Sequence, residues 1–196
     1  MTTLVGVQGS GWCVLGSESR ASLDSGRLIE AASPKIVDNN GILIAGAGAG
    51  RGSNLMHYGW KPSRPRANQN LDDWMTTQFI PQMRLMFIDA GYDMKEEGEF
   101  ASHDSEFLIA VNGIIYVIFE DYSWEREQRS FYVAGSGGDY ALGALEALNF
   151  AKCTDPKAAE KIVKKAIEVA KKFDVYSGGN IKTFIQRKGE KPTAKE

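Results

Sequence analysis

The order of apolar patterns along the 196-residue chain predicts a layered α+β sandwich. Hairpin patterns open the chain and return in its middle, two pairs of helical patterns are separated along the sequence, and a last strand pattern follows the second pair. Because each sheet needs a cover for its apolar face, two helix pairs match two sheets. Without a repeat or a linker, we expect one domain over residues 1–187 and a polar, frayed tail over 188–196.

The strand patterns are joined by short turns that contain glycine. Asn112-Gly113 is the strongest of these signals, because Asn-Gly favours the left-handed backbone of a two-residue hairpin turn. Asn39-Asn40-Gly41 and Gly9-Ser10-Gly11 mark two earlier turns. The hairpins predicted in this way join residues 2–7 to 12–16, 35–37 to 42–45, and 107–111 to 114–119, and single strands are predicted at 131–134 and 181–187.

The helical patterns carry cap residues as well as apolar spacing. One helix is predicted near Asn54, and the next follows a loop over 60–69 and begins at Asn70, a favourable cap residue, with Pro81 expected to kink it. Another pattern follows Gly138. The clearest helix is predicted from a cap at Asp155, with a helical spacing of apolar residues at 159, 162, 163, 166, 167, 170 and 173.

Composition excludes several classes of protein. Hydrophobic residues make up 43% and charged residues 24%, which argues against disorder, and a net charge of −2 argues against a nucleic-acid or anionic-membrane binder. The most apolar stretch, 107–119, is too short for a spanning helix, and the N-terminus lacks a secretion signal. With two cysteines and two histidines, we expect a cytoplasmic protein with no metal site and no cofactor.

The N-terminus offers a nucleophile. Thr2 is small enough for Met1 to be removed, which would leave a threonine with a hydroxyl and a free α-amine. An α-amine titrates near pH ~8 and is therefore a usable base at neutral pH. A Met-Thr start is common, so this feature by itself is not specific.

Four ordered motifs resemble the proteasome β-subunit and HslV-like family of N-terminal-nucleophile hydrolases, from Thr2 to about Arg187. They are residues 2–7 with Glu18-Ser19-Arg20 and Lys35, then Ile44-Ala45-Gly46, then the Gly-Ser-Gly-Gly-Asp-Tyr-Ala-Leu-Gly run at 135–143, and finally Asp174 to Gly179. Residues 56–106 match only in predicted structure. The resemblance implies a four-layer αββα sandwich, with two antiparallel sheets between helical layers, and the activity of a threonine endopeptidase.

The resemblance also implies a role for each site residue. Thr2 would be the nucleophile with its α-amine as proton acceptor, and Lys35 would lie beside the hydroxyl. Glu18, which stands where many relatives have aspartate, would pair with Lys35, and the Gly46 N–H would stabilise the oxyanion. The trio that would orient the Thr2 amine is Ser136, Asp174 and Ser177. Taken alone, each of these residues also has a structural explanation. Lys35 fits an exposed strand lysine, Ser136 a helix cap, and Gly46 a glycine packed against a helix. Turns would account for Glu18, Asp174 and Ser177.

The family pattern further implies that a peptide is held as an extended strand. Ser22 would lie on one side of it, and Gly46 to Gly48 on the other. Ile44 aligns with the base of the pocket for the side chain before the cut, which suggests a hydrophobic preference. A nucleotide-binding loop is disfavoured, because Arg51 stands where a dinucleotide fingerprint needs glycine and no Walker lysine follows.

The resemblance implies partners too: unfolded protein or peptide substrates, self-association into a ring or spiral homo-oligomer, and a possible ATP-dependent unfoldase. We expect no long pro-segment, as in HslV and in small bacterial or viral homologues. The motif that begins at Asp174 is more similar to that of proteasome subunits. Two alternatives stay open. One is a catalytically silent ring or scaffold subunit that retains Met1, and the other is a small-molecule amidase of the same superfamily.

Overall fold

The strands and helices follow closely from the predicted patterns. The computed structural model describes residues 2–23, 25–93, 101–150 and 153–195. The strands are β1 (Leu4–Gly9), β2 (Trp12–Glu18), β3 (Arg20–Ser22), β4 (Leu28–Glu30), β5 (Ile36–Asn39), β6 (Ile42–Gly48), β7 (Ser105–Val111), β8 (Ile114–Ile118), β9 (Trp124–Glu125), β10 (Phe131–Ala134), β11 (Ile181–Arg187) and β12 (Thr193–Lys195). The helices are α1 (Gly50–Asn54), α2 (Leu71–Trp74), α3 (Ile80–Asp89), α4 (Gly138–Ala147) and α5 (Pro156–Phe173).

Two antiparallel five-stranded sheets form the centre of the fold. The first has the order β10-β1-β2-β11-β12 and the second β5-β6-β7-β8-β9. Apolar residues of both sheets, Leu4, Leu15, Leu43 and Leu108 among them, pack together between the sheets. A second core joins the first sheet to α4 and α5, and a third joins the second sheet to α2, α3 and the π-helical turns over Leu55–Gly59 and Met75–Phe79. The predicted four-layer αββα sandwich is therefore confirmed.

Two hairpin turns have the backbone that their sequences predict. Asn40 and Gly41 have φ of 59° and 79°, and Asn112 and Gly113 have φ of 52° and 78°. Positive φ at both central residues is characteristic of a type I′ turn, whose twist matches that of the flanking strands. These turns fix the registers of β5 with β6 and of β7 with β8.

The predicted caps and the predicted irregularity at Pro81 both have structural counterparts. The Asn70 side chain accepts from Asp72 N at 2.8 Å, and Asp155 accepts from Ala158 N at 2.8 Å. Pro81 is the second residue of α3, and a π-helical turn over Met75–Phe79 comes directly before that helix. The helix is irregular here because proline cannot donate a backbone hydrogen bond. A second π-helical turn, Leu55–Gly59, continues α1.

The structure differs from the sequence prediction in its small strands. Residues 193–195 are not frayed: β12 pairs with β11, with Ile185 opposite Thr193. Backbone groups along the edge of a sheet need partners, and β12 supplies them to β11. The short ribbon of β3 and β4 and the two-residue strand β9 were also not predicted. Among the described helices, none has the length and apolar content that crossing a membrane requires.

Candidate active site

Residues from both sheets meet at the start of the chain. Thr2 lies just before β1, and the pairing of Leu4 with Ser17 brings it close to Glu18 at the end of β2. Lys35 lies just before β5 in the second sheet. Thr2 and Glu18 are buried, with 3% and 1% of their surfaces exposed. The site therefore depends on how the two sheets pack.

The Glu18 carboxylate is hydrogen-bonded on both oxygens. Its Oε1 accepts from Thr2 Oγ1 at 2.9 Å and from the Thr3 N–H at 3.0 Å. Its Oε2 accepts from the Arg20 N–H at 2.7 Å and from the Gly178 N–H at 3.1 Å. Four donors from three parts of the chain thus fix the orientation of one buried carboxylate.

Lys35 completes this arrangement. Its Nζ donates to both Thr2 Oγ1 and Glu18 Oε1, so the threonine hydroxyl accepts from the lysine and donates to the carboxylate. The Lys35 side chain is 12% exposed and that of Glu18 is fully buried. Burial lowers the pKa of Lys35 below 10.5, and the charge of Glu18 opposes this change. The structure therefore brings together the hydroxyl, the ammonium and the carboxylate that the sequence singled out.

Asp174 organises a second network behind Thr2. Its Oδ2 accepts from Ser136 Oγ at 2.8 Å and from Ser177 Oγ at 2.6 Å. Ser177 Oγ also lies 2.6 Å from Thr3 Oγ1, and Ser136 Oγ reaches the Thr2 carbonyl at 3.5 Å. The three predicted residues are thus adjacent and reach the chain start through the Thr2 carbonyl and the Thr3 hydroxyl. That they orient the Thr2 amine stays a prediction.

A cavity of about 190 Å³ opens beside Thr2 and Lys35. Ser22, Gly46 and Gly48, which the family pattern assigns to peptide binding, all line it. The other lining residues are Ala21, Ala31, Ser33, Pro34, Gly50, Ser53, Asn54 and His57. The nucleophile candidate and the predicted peptide-binding residues therefore share one cavity.

Gly46 has a clear packing role in this cavity. A Cβ at this position would overlap Ser53 Oγ of α1 and would lie 3.0 Å from Phe107 Cε1, so only glycine lets α1 approach β6 this closely. Its N–H donates to the Lys35 carbonyl at 3.3 Å, near the long end of the hydrogen-bond range. An oxyanion would have to share this donor, and the predicted oxyanion role of Gly46 stays a prediction.

Ile44 does not line the cavity, contrary to the sequence expectation. Its side chain is fully buried in the outer core with Met56 and Phe107, because this face of β6 is covered by the helical layer. The cavity is instead lined by His57, whose Nε2 bonds to the Ile44 carbonyl at 3.2 Å. Sequence reasoning missed His57, because a lone histidine has no spacing that signals its role and a π-helical turn sets its direction.

A second cavity, of about 510 Å³, also borders the ion pair. Glu18, Lys35, Asn180 and Lys182 are among its lining residues, and Lys35 lines both cavities. Within the described residues, no group of three or more His, Cys, Asp and Glu side chains is arranged to hold a metal ion.

Comparisons with known proteins match part of the sequence and nearly all of the fold. The family model for proteasome subunits matches residues 121–185. Over 61 residues the chain is 41% identical to the "ATP-dependent protease subunit HslV" of Campylobacter jejuni strain RM1221 and to that of C. jejuni subsp. jejuni serotype O:2. These alignments cover 31% of this chain and 32% of each relative, so the match spans about a third of the length of the curated relatives.

The solved structures that resemble the chain extend over its whole fold. "Thiobacillus denitrificans BPH in complex with Epoxomicin" has a TM-score of 0.74 at 18% identity, covering 96% of this chain and 100% of that one. Eukaryotic HslV from Trypanosoma brucei has a TM-score of 0.64 at 19% identity, covering 95% and 99%. At these identities the structures show a shared fold. The chain is thus similar to proteasome subunits and HslV proteins in part of its sequence and in nearly all of its fold.

Proposed function

We propose that the protein is a threonine-type endopeptidase whose nucleophile is the Thr2 hydroxyl after Met1 has been removed. One observation carries the proposal: Thr2 Oγ1 lies at a cavity and bonds directly to both Lys35 and Glu18. A hydroxyl is a weak nucleophile unless a neighbouring group takes its proton. The free α-amine of Thr2 would be that proton acceptor.

The reaction begins when Thr2 Oγ1 attacks the carbonyl carbon of a peptide bond. The hydroxyl proton passes to the α-amine and then to the leaving amine as the C–N bond breaks, and an ester on Thr2 remains. Water then cleaves the ester and restores the hydroxyl. The Lys35 ammonium stabilises the negative charge that develops on Thr2 Oγ1 as its proton leaves, and Glu18 holds that ammonium in place.

The substrates and the assembly are also proposals, supported by the family. We propose that peptides or unfolded proteins bind as extended strands between Ser22 and the segment 46–48, and that copies of the chain associate into a ring or spiral. The Campylobacter relatives are named ATP-dependent protease subunits, which supports an unfoldase partner. A cytoplasmic location stays a prediction.

Intact mass spectrometry and peptide hydrolysis test the proposal together. We expect the mature chain to lack Met1 and to cleave short fluorogenic peptides. Thr2→Ala should abolish cleavage, because no hydroxyl remains, while Thr2→Ser keeps the hydroxyl and should retain measurable activity. Epoxomicin, which is in complex with the T. denitrificans protein, serves as a ligand probe.

Different results would favour the alternatives. A chain that keeps Met1 and cleaves no peptide would favour a silent ring or scaffold subunit, because the α-amine of Thr2 would then be blocked. Cleavage of small amides without cleavage of peptides would favour an amidase. Undiminished peptide cleavage by Thr2→Ala would contradict the proposed mechanism, because the Thr2 hydroxyl could not be the nucleophile.

A further inference from the structure

One part of the lining of the cavity beside Thr2 is polar. It is built from the end of α1 and from the π-helical turn that follows, which bring Ser53, Asn54 and His57 to the cavity. The apolar side chains of the lining are those of Ala21, Ala31 and Pro34. A side chain that enters the cavity therefore meets hydrogen-bonding groups as well as aliphatic carbon.

The hydrogen bond of His57 fixes which ring nitrogen carries the proton. A backbone carbonyl can only accept, so His57 Nε2 must donate to the Ile44 oxygen that lies 3.2 Å away. Burial lowers the pKa of His57 below 6.5, so the ring is neutral at pH 7. In a neutral ring that is protonated at Nε2, Nδ1 is a hydrogen-bond acceptor.

This acceptor is accessible. Within the described parts of the chain, His57 Nδ1 has no hydrogen-bond partner, and it is not enclosed as the two unpartnered ring nitrogens of His103 are. His57 itself lines the cavity beside Thr2. Nδ1 is thus the ring nitrogen that is left to accept a hydrogen bond, and Ser53 brings a hydroxyl to the same cavity.

We infer that His57 determines specificity by selecting an uncharged side chain with a hydrogen-bond donor, such as glutamine or asparagine, at the position before the cleaved bond. The inference rests on the proposed function, because the cavity is a substrate subsite only if Thr2 is the nucleophile. A leucine side chain would leave His57 and Ser53 without partners, which is costly in a buried site. A carboxylate would face the Nδ1 lone pair, and a cation would lie close to Lys35.

A set of fluorogenic peptides that differ only at this position tests the inference. With the wild-type protein, we expect kcat/KM for the glutamine or asparagine peptide to exceed that for the leucine peptide by about tenfold or more. His57→Leu should reverse this order, because it removes the acceptor and adds apolar surface. A wild-type preference for leucine, glutamate or lysine, or an unchanged order in His57→Leu, would overturn the inference.

Two further variants protect the experiment against loss of folding. Ser53→Ala removes a hydroxyl from the same cavity and should reduce the glutamine preference, even if His57→Leu does not fold. Tyr58→Phe changes the exposed neighbour of His57, and the order of the glutamine, asparagine, leucine, glutamate and lysine peptides should stay as in the wild type. A larger effect of Tyr58→Phe than of Ser53→Ala would count against the cavity.

Nitrogen NMR of the imidazole gives a reading that does not depend on catalysis. We expect the glutamine peptide to shift the ¹⁵N resonance of His57 Nδ1, and the leucine peptide to leave it in place. A shift without any cleavage would show that Nδ1 accepts from the glutamine side chain, but it would refute the proposed endopeptidase and with it the role of His57 in specificity. If neither peptide shifts the resonance, the subsite is refuted, whatever the activity.

Discussion

Glu18 is the single residue on which most contacts of the site depend. Its two oxygens accept from Thr2, Thr3, Arg20 and Gly178, and it is the ion-pair partner of the largely buried Lys35. Each of these contacts needs an acceptor. An amide in this place would turn a donor towards some of these donors and would leave the lysine charge uncompensated.

We expect Glu18→Gln to lower the free energy of unfolding by about 3 kcal/mol, the typical cost of removing one partner of a buried ion pair. Urea denaturation measures the change. Glu30→Gln is the matched control, because Glu30 pairs with Arg20 through a side chain that is 57% exposed. Exposed pairs contribute about 1 kcal/mol or less, so equal losses in the two variants would contradict this account.

His103 is a buried histidine outside the site. Rings of Phe87, Phe107 and Tyr122 surround it, and neither ring nitrogen has a hydrogen-bond partner among the described residues. Burial lowers the pKa of His103 from 6.5 to about 4. The folded state therefore binds fewer protons than the unfolded state between these two pH values.

Because the unfolded state binds more protons in that window, stability should fall as pH drops from 6.5 towards 4. One such histidine contributes a slope of up to about 1.4 kcal/mol per pH unit. His103→Phe removes this titrating group and should reduce the slope of the free energy of unfolding against pH by up to that amount. Denaturation at several pH values measures the slope. An unchanged slope would show that His103 is not responsible.

At the scale of elements, the β7–β8 turn holds the two sheets against each other. The Gly113 N–H donates to Gln186 Oε1 of β11 at 3.0 Å. A Cβ on Gly113 would lie 2.8 Å from both Gly11 C and Trp12 N, which belong to the β1–β2 hairpin. The turn therefore needs glycine for its backbone conformation and for its contact with the first sheet.

Gly113→Ala should consequently cost more than a substitution that strains the backbone alone. Gly189 is the matched control, because its φ of 79° is close to the 78° of Gly113 and no atom lies within 4 Å of its Cβ position. We expect about 1 kcal/mol of destabilisation for Gly189→Ala and about 3 kcal/mol for Gly113→Ala, measured by urea unfolding. Similar values would mean that the contact between sheets is unimportant.

At the scale of the whole molecule, the ring or spiral assembly proposed above leads us to expect self-association. Apolar side chains remain exposed on the described surface of one chain, with Leu85 at 59%, Phe173 at 66% and Val175 at 65%. Sedimentation velocity at micromolar concentration should show a species several times heavier than the 21.5 kDa chain. Thr2→Ala should sediment in the same way, since it removes only a hydroxyl, and a monomer in both proteins would contradict the expectation.

Local sequence predicted the elements well where a residue's backbone preference acts alone. Asn112-Gly113 specified a type I′ turn, and Asp155 with Pro156 specified the start of α5. The strand β12 was missed because its polar sequence has no apolar alternation, and its order comes from pairing with β11. Ile44 was misplaced because the residues around it predict a strand but do not say which face the helical layer covers.

The sequence by itself determined the strands, helices and turns of the two-sheet sandwich, because periodicity and backbone preference are properties of short segments. The residues expected around Thr2 came from the resemblance of four motifs to a known family. Only the tertiary structure decided how these residues contact one another. It brought Lys35 from the second sheet to the threonine hydroxyl, buried Ile44 and turned His57 into the cavity. Such contacts depend on the packing of segments that are far apart in the chain, so the pattern of a short segment cannot predict them.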